Sequence, residues 1–242
     1  AMRETGLRGC LCYEVSDRDG AAIAREGLEE NADYIRTCQG REDDQMRALF
    51  GLHAAFTLSD ATLAEAARMG GELGAGFHIH VAEGASDVAF NVEHHGLRVV
   101  ERLEKAGILG PKTLAAHCIH IDEHEMDLLA QTGTMVAHNP QSNLNNAVGI
   151  ANTVEMAKRG ILMGLGTDAM TVNMLEEVRV ALWAQHLRQE NPTCAFMETA
   201  NALFFHNAEI ASRLWGLPLG ALEEGAAADV VLIDYFPPTP LD

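Results

Sequence analysis

The feature that most constrains the fold of this chain is an alternation of short apolar segments with longer amphipathic ones. The short segments start 21 to 39 residues apart, which fits repeated βα units of roughly 30 residues. Each is apolar on both faces and is followed by polar residues or glycine, as is typical of buried parallel strands. The pattern therefore predicts an α/β fold with strands at Gly9–Val15, Ala48–His53, Gly76–Ala82, Thr113–Ile119, Thr134–His138 and Leu162–Thr167.

The segments between the strands carry the start and stop signals of helices. Ser59 is an N-cap candidate for a helix that reaches Leu73, and Gly74 is a stop signal. Asp122, followed three residues later by Glu125, predicts a capping box. These signals support the division of the chain into alternating strands and helices.

The last part of the chain is mostly helical. Helices are predicted over 174–188 and 196–214, and Ala226–Asp234 then has the pattern of an apolar strand. That strand has no obvious partner in the chain, so we expect it to belong to a second, small β domain. The predicted boundaries are 1–216 for the main domain and 217–242 for the segment that returns to the small one.

Two architectures fit the βα units. Polar residues cluster at the carboxyl ends of the strands, which favours a (β/α)8 barrel, because such barrels carry the active site at that end. Only six strands can be counted, however, and a closed barrel usually takes about 250 residues. An open doubly wound sheet is the alternative. The sequence has no Gly-rich phosphate loop after its first strand and no Walker A motif.

The net charge limits which partners the protein can bind, and the cysteine content indicates its cellular location. Lys and Arg total 17 against 35 Asp and Glu, a formal charge of −18, and such a field repels phosphate backbones and anionic lipid. We therefore expect neither nucleic acid nor a membrane as a partner. Five cysteines, an odd number, fit reduced thiols better than a disulfide framework and predict a cytoplasmic location.

Polar side chains that could do chemistry follow four consecutive strands. His78 and His80 point to the same face of their strand, and Glu83 lies just beyond its end. A single buried histidine is most simply explained as a core residue. An aspartate at a buried strand end, in contrast, is costly unless it is paired or binds metal. Four consecutive strands that end in such residues indicate a functional site, formed by His80, His117, His138 and Asp168.

Nitrogen and oxygen ligands around an open coordination position suit Zn²⁺ or Fe²⁺, either of which can activate a water molecule. In this interpretation Asp168 binds the metal and accepts a proton from the water. Glu83 carries a proton to a leaving or ring nitrogen, and His117 orients the substituent of the attacked carbon. The pattern predicts a hydrolase that acts on a small molecule.

Four segments, in this order and spacing, resemble the amidohydrolase superfamily, in its cytosine-deaminase-like branch of aminohydrolases and chlorohydrolases: HIHVAE, AAHCIH, AHNPQSN and LGLGTD. The chain is most similar to the SsnA-type aminohydrolases. The resemblance implies one divalent metal ion, zinc or alternatively iron, bound by His80 and Asp168. It also implies that Glu83 is the proton shuttle, that His117 contacts substrate beside the metal, and that His53 is a second substrate contact.

The chain departs from the family pattern before its first strand. The family's barrel opens with a His-x-His strand that supplies two further metal ligands, and by this comparison those two histidines are absent. The resemblance implies barrel strands three to eight and a remnant of a flanking β-sandwich. Alternatively His78-Ile79-His80 is the opening motif, although Glu83 fits the fifth strand better. No lysine lies in Ala48–His53, where binuclear members bridge two metals, so a mononuclear site is implied.

Several functions remain open at this point. The resemblance implies deamination of a small heterocyclic or amidine-like substrate, and an aromatic chlorohydrolase with the same site is the alternative. Met170, after the last strand, disfavours a purine or pterin substrate. A hypothesis of a different class is that the chain is a catalytically incomplete fragment, which needs its missing N-terminal segment. The hypothesis of a metal-free α/β binding protein does not explain the histidines at the strand ends. Whether the chain forms a homo-oligomer is a separate question that the sequence leaves open.

Overall fold

The computed structural model describes residues 2–232 together with 234, 236 and 239. Within them the strands are β1 (Gly9–Leu11), β2 (Met46–Ala48), β3 (Phe50–Ala54), β4 (Phe77–Val81), β5 (Leu114–His117), β6 (Met135–His138) and β7 (Met163–Leu165). The helices are α1 (Met2–Thr5), α2 (Ala21–Gln39), α3 (Asp60–Leu73), α4 (Ala85–His95), α5 (Val99–Lys105), α6 (Glu123–Thr132), α7 (Pro140–Asn145), α8 (Thr153–Lys158), α9 (Met174–Arg188), α10 (Phe196–Asn201) and α11 (Asn207–Trp215). A 3₁₀ turn covers Ala55–Thr57 and a π-helical turn covers Ala202–His206.

The strands form a parallel sheet in chain order, β3-β4-β5-β6-β7, and β1 pairs in parallel with β2. A single parallel bridge between Val15 and Leu52 joins the two sheets. The predicted α/β fold with parallel strands is confirmed, and each of the six predicted segments overlaps an observed strand. The second segment is divided, because Leu49 separates β2 from β3 and the pairing of β3 with β4 shifts register between Gly51 and Ala54.

Two asparagine side chains take the place of strand pairing where the sheet is irregular. Asn31, buried on α2, accepts hydrogen bonds from the backbone N–H groups of Tyr13 and Gly51 and donates to both of their carbonyls. Gly51 has to be glycine, since a Cβ there would lie 2.2 Å from the Tyr13 carbonyl oxygen. On α11, Asn207 accepts from the N–H of Leu165 and donates to its carbonyl. Both asparagines thereby hydrogen-bond backbone N–H and carbonyl groups of the strand segments, as buried backbone requires.

The predicted helix boundaries are formed as the capping rules require. The Ser59 hydroxyl accepts from the N–H of Thr62 at 3.1 Å, and Gly74 ends α3 in the left-handed conformation with φ 60°. Asp122 and Glu125 form the predicted capping box at the start of α6. These ends fix where each helix delivers the chain to the next strand.

The core lies between the sheet and the helices that connect its strands. Ile79 and Val81 of β4 are fully buried, as are Leu103 of α5 and Leu129 of α6. The Arg102 side chain is buried with them, 3% exposed. The guanidinium of Arg102 donates to Asp60, to Asn91 and to the carbonyls of Ala55 and Leu58, the latter at 2.7 Å. This network ties α5 to the turn that follows β3.

The predicted strand at Ala226–Asp234 is wrong for the residues that the structure describes there, 226–232 and 234, which adopt no regular secondary structure. A strand requires a hydrogen-bonded neighbour, and none pairs with this segment within the described part of the chain. Residue 233, within the predicted strand, lies outside the described residues. None of the described helices combines the length and the apolar character that crossing a bilayer requires.

Candidate active site

The carboxyl ends of the central strands bring the predicted site residues together, because parallel strands end at the same edge of the sheet. The His80 and His117 rings lie 5.5 Å apart between centroids, with their planes at 18°. One donor atom each of His80, His117 and Asp168 lies within 4.8 Å of the others. Three residues from β4, β5 and the loop after β7 therefore converge on one point.

Hydrogen bonds fix the His80 ring. Its Nδ1 lies 2.6 Å from the carbonyl oxygen of His53, and because a carbonyl only accepts, Nδ1 carries the proton. The lone pair of His80 is then on Nε2. A ring nitrogen that donates to a backbone carbonyl while the other is free to bind is the usual arrangement of a metal-binding histidine.

His117 presents an unsatisfied nitrogen to the same point. The ring is fully buried, and Nδ1 lies 2.8 Å from Asn143 Oδ1. Its Nε2 has no hydrogen-bond partner, and the nearest charged atoms are Glu83 Oε2 at 3.8 Å and Asp168 Oδ2 at 4.0 Å. With Nδ1 protonated toward Asn143, a lone pair faces two carboxylates. A cation or a hydrogen-bond donor bound between them would satisfy all three groups.

Residues near the start of α7 hold both Asp168 and His117 in place. Ser142 donates its hydroxyl to Asp168 Oδ2 at 2.5 Å, and the next residue, Asn143, holds His117. Asn146, the C-cap residue that follows α7, donates to Glu83 Oε1 at 3.3 Å. One short helix and its C-cap thus contact three of the four residues that line this point.

Strained backbone accompanies the strand ends. Eight described non-glycine residues have positive φ, and five of them follow or end β4, β5 and β7: Ala82, His117, Cys118, Asp168 and Ala169. Non-glycine residues avoid this region, and the cost is usually borne at functional sites. At His117, with φ 70°, the departure from strand geometry accompanies the approach of its ring to that of His80.

A second group of donors lies beside the first. Glu14, His53 and His80 each offer an atom within 4.8 Å of the others. The Thr57 hydroxyl donates to the Ala54 carbonyl and so accepts from His53 Nδ1 at 2.8 Å, which leaves the Nε2 of His53 free. Burial lowers the pKa of His53. Glu14 was missed by sequence reasoning, although its position one residue before the end of the predicted strand Gly9–Val15 is a signal of the same kind as those used for the other strands.

The other two strand histidines differ from each other. His78 lies beside His80, with centroids 6.5 Å apart, as the spacing of two predicts, and burial lowers its pKa to about 4. His138 ends β6 but belongs to neither donor group among the described residues. Its ring is buried, both nitrogens lack a partner, and burial lowers its pKa to about 4. Of the four predicted strand-end residues, His80, His117 and Asp168 therefore supply donor atoms to one group, and His138 does not.

The chemistry of this donor set fits a divalent cation. Two imidazole nitrogens with available lone pairs and one carboxylate are ligands that Zn²⁺ and Fe²⁺ accept. Glu83, 24% exposed, borders the point without belonging to the group of three. A carboxylate in that position can exchange protons with a molecule bound there.

Comparison with known proteins places the chain among amidohydrolases. The profile of the family described as "Amidohydrolase family" matches residues 1–241. The 5'-deoxyadenosine deaminase of Methanothermobacter thermautotrophicus is 32% identical over 238 residues, which cover 97% of this chain and 55% of that protein. The 5-methylthioadenosine/S-adenosylhomocysteine deaminase of Desulforudis audaxviator is 34% identical over 241 residues, 96% of this chain and 54% of that protein.

Among solved structures, an adenosine deaminase from Xanthomonas campestris with bound zinc superposes with a TM-score of 0.83 at 24% identity. The match covers 94% of this chain and 52% of that one, and it shows the fold. The chain spans about half the length of the curated relatives that it matches.

Proposed function

Because the chain belongs to the amidohydrolase family, we propose that it carries the catalytic strand ends of a metal-dependent hydrolase that removes an amino group from a small heterocyclic or amidine-like substrate. The observation that carries this proposal is the convergence of His80, His117 and Asp168 beside Glu83, with a buried lone pair on His117 that no protein group satisfies. The relatives named above are deaminases, which supports the choice of reaction.

In this proposal His80 and Asp168 hold one divalent metal ion, zinc or alternatively iron. When bound, such an ion supplies hydroxide at neutral pH by lowering the pKa of water to about 7. The hydrogen bond from His80 to the His53 carbonyl, and the one from Ser142 to Asp168, orient these two ligands. Further ligands are expected from the two family histidines that this chain does not contain.

The remaining side chains act on protons and on the substrate. Asp168 accepts a proton from the attacking water, and Glu83 delivers a proton to the ring or to the departing amino nitrogen. The C–N bond breaks, ammonia leaves, and the carbon keeps the oxygen of the water. His117 contacts the substituent on the attacked carbon, and His53 contacts the substrate from the other side of His80, 5.4 Å away between ring centroids.

The architecture that goes with this function is a (β/α)8 barrel of which the chain holds strands three to eight. We assign 1–216 to that barrel and 217–242 to the segment that returns to a small flanking β-sandwich. The five cysteines are free, which fits a cytoplasmic location.

The experiment is an assay of ammonia release from a panel of amino-heterocycles and amidines, with zinc supplied and chloride release from chloro-heterocycles measured in parallel. We expect ammonia release that Glu83→Gln abolishes, whereas Glu93→Gln, an exposed carboxylate on α4, leaves it unchanged. Full activity in Glu83→Gln would overturn the proton-shuttle assignment. Chloride without ammonia would establish the chlorohydrolase alternative, and neither product is the result expected of a catalytically incomplete fragment.

A further inference from the structure

A second cavity lies at the opposite end of the strands from His80. It has a volume of about 330 Å³ and opens beside Gly76, the residue that precedes β4. Gly76 and His80 are four residues apart on one strand, which places the two sites about 13 Å apart at ~3.3 Å per residue. The cavity is therefore separate from the donor group at the carboxyl ends.

The lining of this cavity is cationic in a strongly acidic protein. Arg41 follows α2, Arg47 lies on β2 and Lys112 precedes β5, so three separate segments bring positive charge to one place. No Asp or Glu is among the thirteen described residues that line it. With 35 acidic and 17 basic residues in 242, composition alone would give roughly two carboxylates and one cation.

Two of these cations lack a counter-ion among the residues that the structure describes. Arg47 donates to the carbonyl of Met46 at 2.9 Å and Lys112 to that of Gly74 at 3.0 Å, and neither makes an ion pair with a carboxylate in the described part of the chain. Arg41 pairs with Asp43, and its side chain is only 11% exposed. Most of the other arginines in the described part of the chain do have a carboxylate partner, so Arg47 is among the few that do not.

The other walls provide no negative charge either. Cys10 and Cys38 line the cavity, and burial raises the pKa of Cys10 to about 12, so that thiol stays neutral. Ile35, Ala48 and Leu49 form an apolar side. A ligand that fits has an anionic head and an apolar body.

We propose that this cavity binds a small organic anion, with its carboxylate or phosphate group held by Arg47 and Lys112 beside the Arg41–Asp43 pair, and its apolar part against Ile35, Ala48 and Leu49. Planar arginine side chains bind both kinds of oxyanion through paired hydrogen bonds, and lysine adds a point charge. The site is independent of the proposed hydrolysis, so either can fail without the other.

The test is a nuclear magnetic resonance titration of ¹⁵N-labelled, chelator-treated protein with benzoate, phenyl phosphate and the neutral benzyl alcohol. Removal of metal prevents anions from binding at the donor group of His80. We expect saturable shifts of the backbone amides at 47–48, 74–76 and 112 with one or both anions and none with benzyl alcohol. The tighter of the two anions identifies the head group.

Arg47→Gln and Lys112→Gln are each expected to weaken binding at least ten-fold. Arg68→Gln is the matched control, because Arg68 is an exposed arginine of α3 that pairs with Glu65 and Glu72. Lys112 is itself exposed, so its substitution leaves the fold intact. The proposal is overturned if no saturable shift appears, if the shifts cluster at 166–168, or if Arg68→Gln weakens binding as much as the other two.

Discussion

Ser142 donates its hydroxyl to the same oxygen of Asp168 that faces His117, at 2.5 Å. Ser142 is buried, whereas the Asp168 side chain is 38% exposed. The helix that carries Ser142 also carries Asn143, which orients His117. The helix after β6, α7, therefore fixes the geometry of His117 on β5 and of Asp168 after β7. Hydrogen bonds from one helix thus connect the ends of three strands.

This contact predicts that Ser142→Ala weakens metal binding about 10-fold or more, the usual effect of losing a group that orients a ligand. Isothermal titration with zinc measures the affinity. Ser212→Ala removes a hydroxyl on α11, which bonds Ala208 and Leu219, and should leave zinc affinity unchanged. Equal affinity in Ser142→Ala and the parent chain would show that Asp168 needs no such support.

His138 should make stability depend on pH. Burial lowers its pKa to about 4 from 6.5, so as pH falls the unfolded chain takes up the proton before the folded one does. The free energy of unfolding therefore decreases between about pH 6.5 and pH 4, by at most about 3 kcal/mol.

His138→Met, of similar volume and without unsatisfied nitrogens, should flatten the dependence of unfolding free energy on pH over that interval, measured by urea denaturation. Its stability at pH 7 should not decrease, because the two buried nitrogens of the native ring lack partners. His124→Gln, at an exposed position, serves as the control. A slope that His138→Met does not change would contradict the assignment.

Arg102 is the buried cation on which the turn after β3 depends. Arg102→Met should destabilise the protein by about 3–5 kcal/mol, because it removes the donor of two buried acceptors, the Leu58 carbonyl and the Asn91 side-chain oxygen, each of which costs about 1–3 kcal/mol when unsatisfied. Arg68→Met, at an exposed pair, should cost about 0–1 kcal/mol. Chemical denaturation compares the two, and similar losses would mean that the Arg102 network contributes little.

Ser59 tests the local rules on which the helix predictions rest. Ser59→Ala removes the acceptor of the Thr62 N–H and should cost about 1 kcal/mol of unfolding free energy, whereas Ser59→Asp retains a cap and most of the stability. The measurement is a pair of denaturation curves. If both variants lose the same free energy, the hydroxyl does not act as a cap.

The sequence was informative where local rules decide the structure. The strands were predictable because buried parallel strands are apolar on both faces, and α3 because Ser59 and Gly74 mark its ends. The convergence of His80, His117 and Asp168 followed from the rule that parallel strands end at one edge. Their metal-binding and catalytic roles remain predictions.

Tertiary contacts decide what the sequence left out. Arg102 is buried because its donors meet four acceptors from other segments, and a helical arginine is normally expected on the surface. His138 follows the same strand-end pattern as His117 yet lies outside the donor groups, and only the packing around it distinguishes the two. The apolar segment 226–232 lacks a pairing partner among the described residues, which periodicity alone cannot reveal.

The central claim is that His80 and Asp168 hold a divalent metal ion, and zinc titration of metal-free protein tests it most directly. The account predicts one equivalent of zinc bound per chain. His80→Ala and Asp168→Asn should each lower the affinity at least ten-fold, whereas Glu83→Gln should retain it. No stoichiometric binding at all would indicate the incomplete-fragment alternative. Zinc binding that neither His80→Ala nor Asp168→Asn alters would contradict the account.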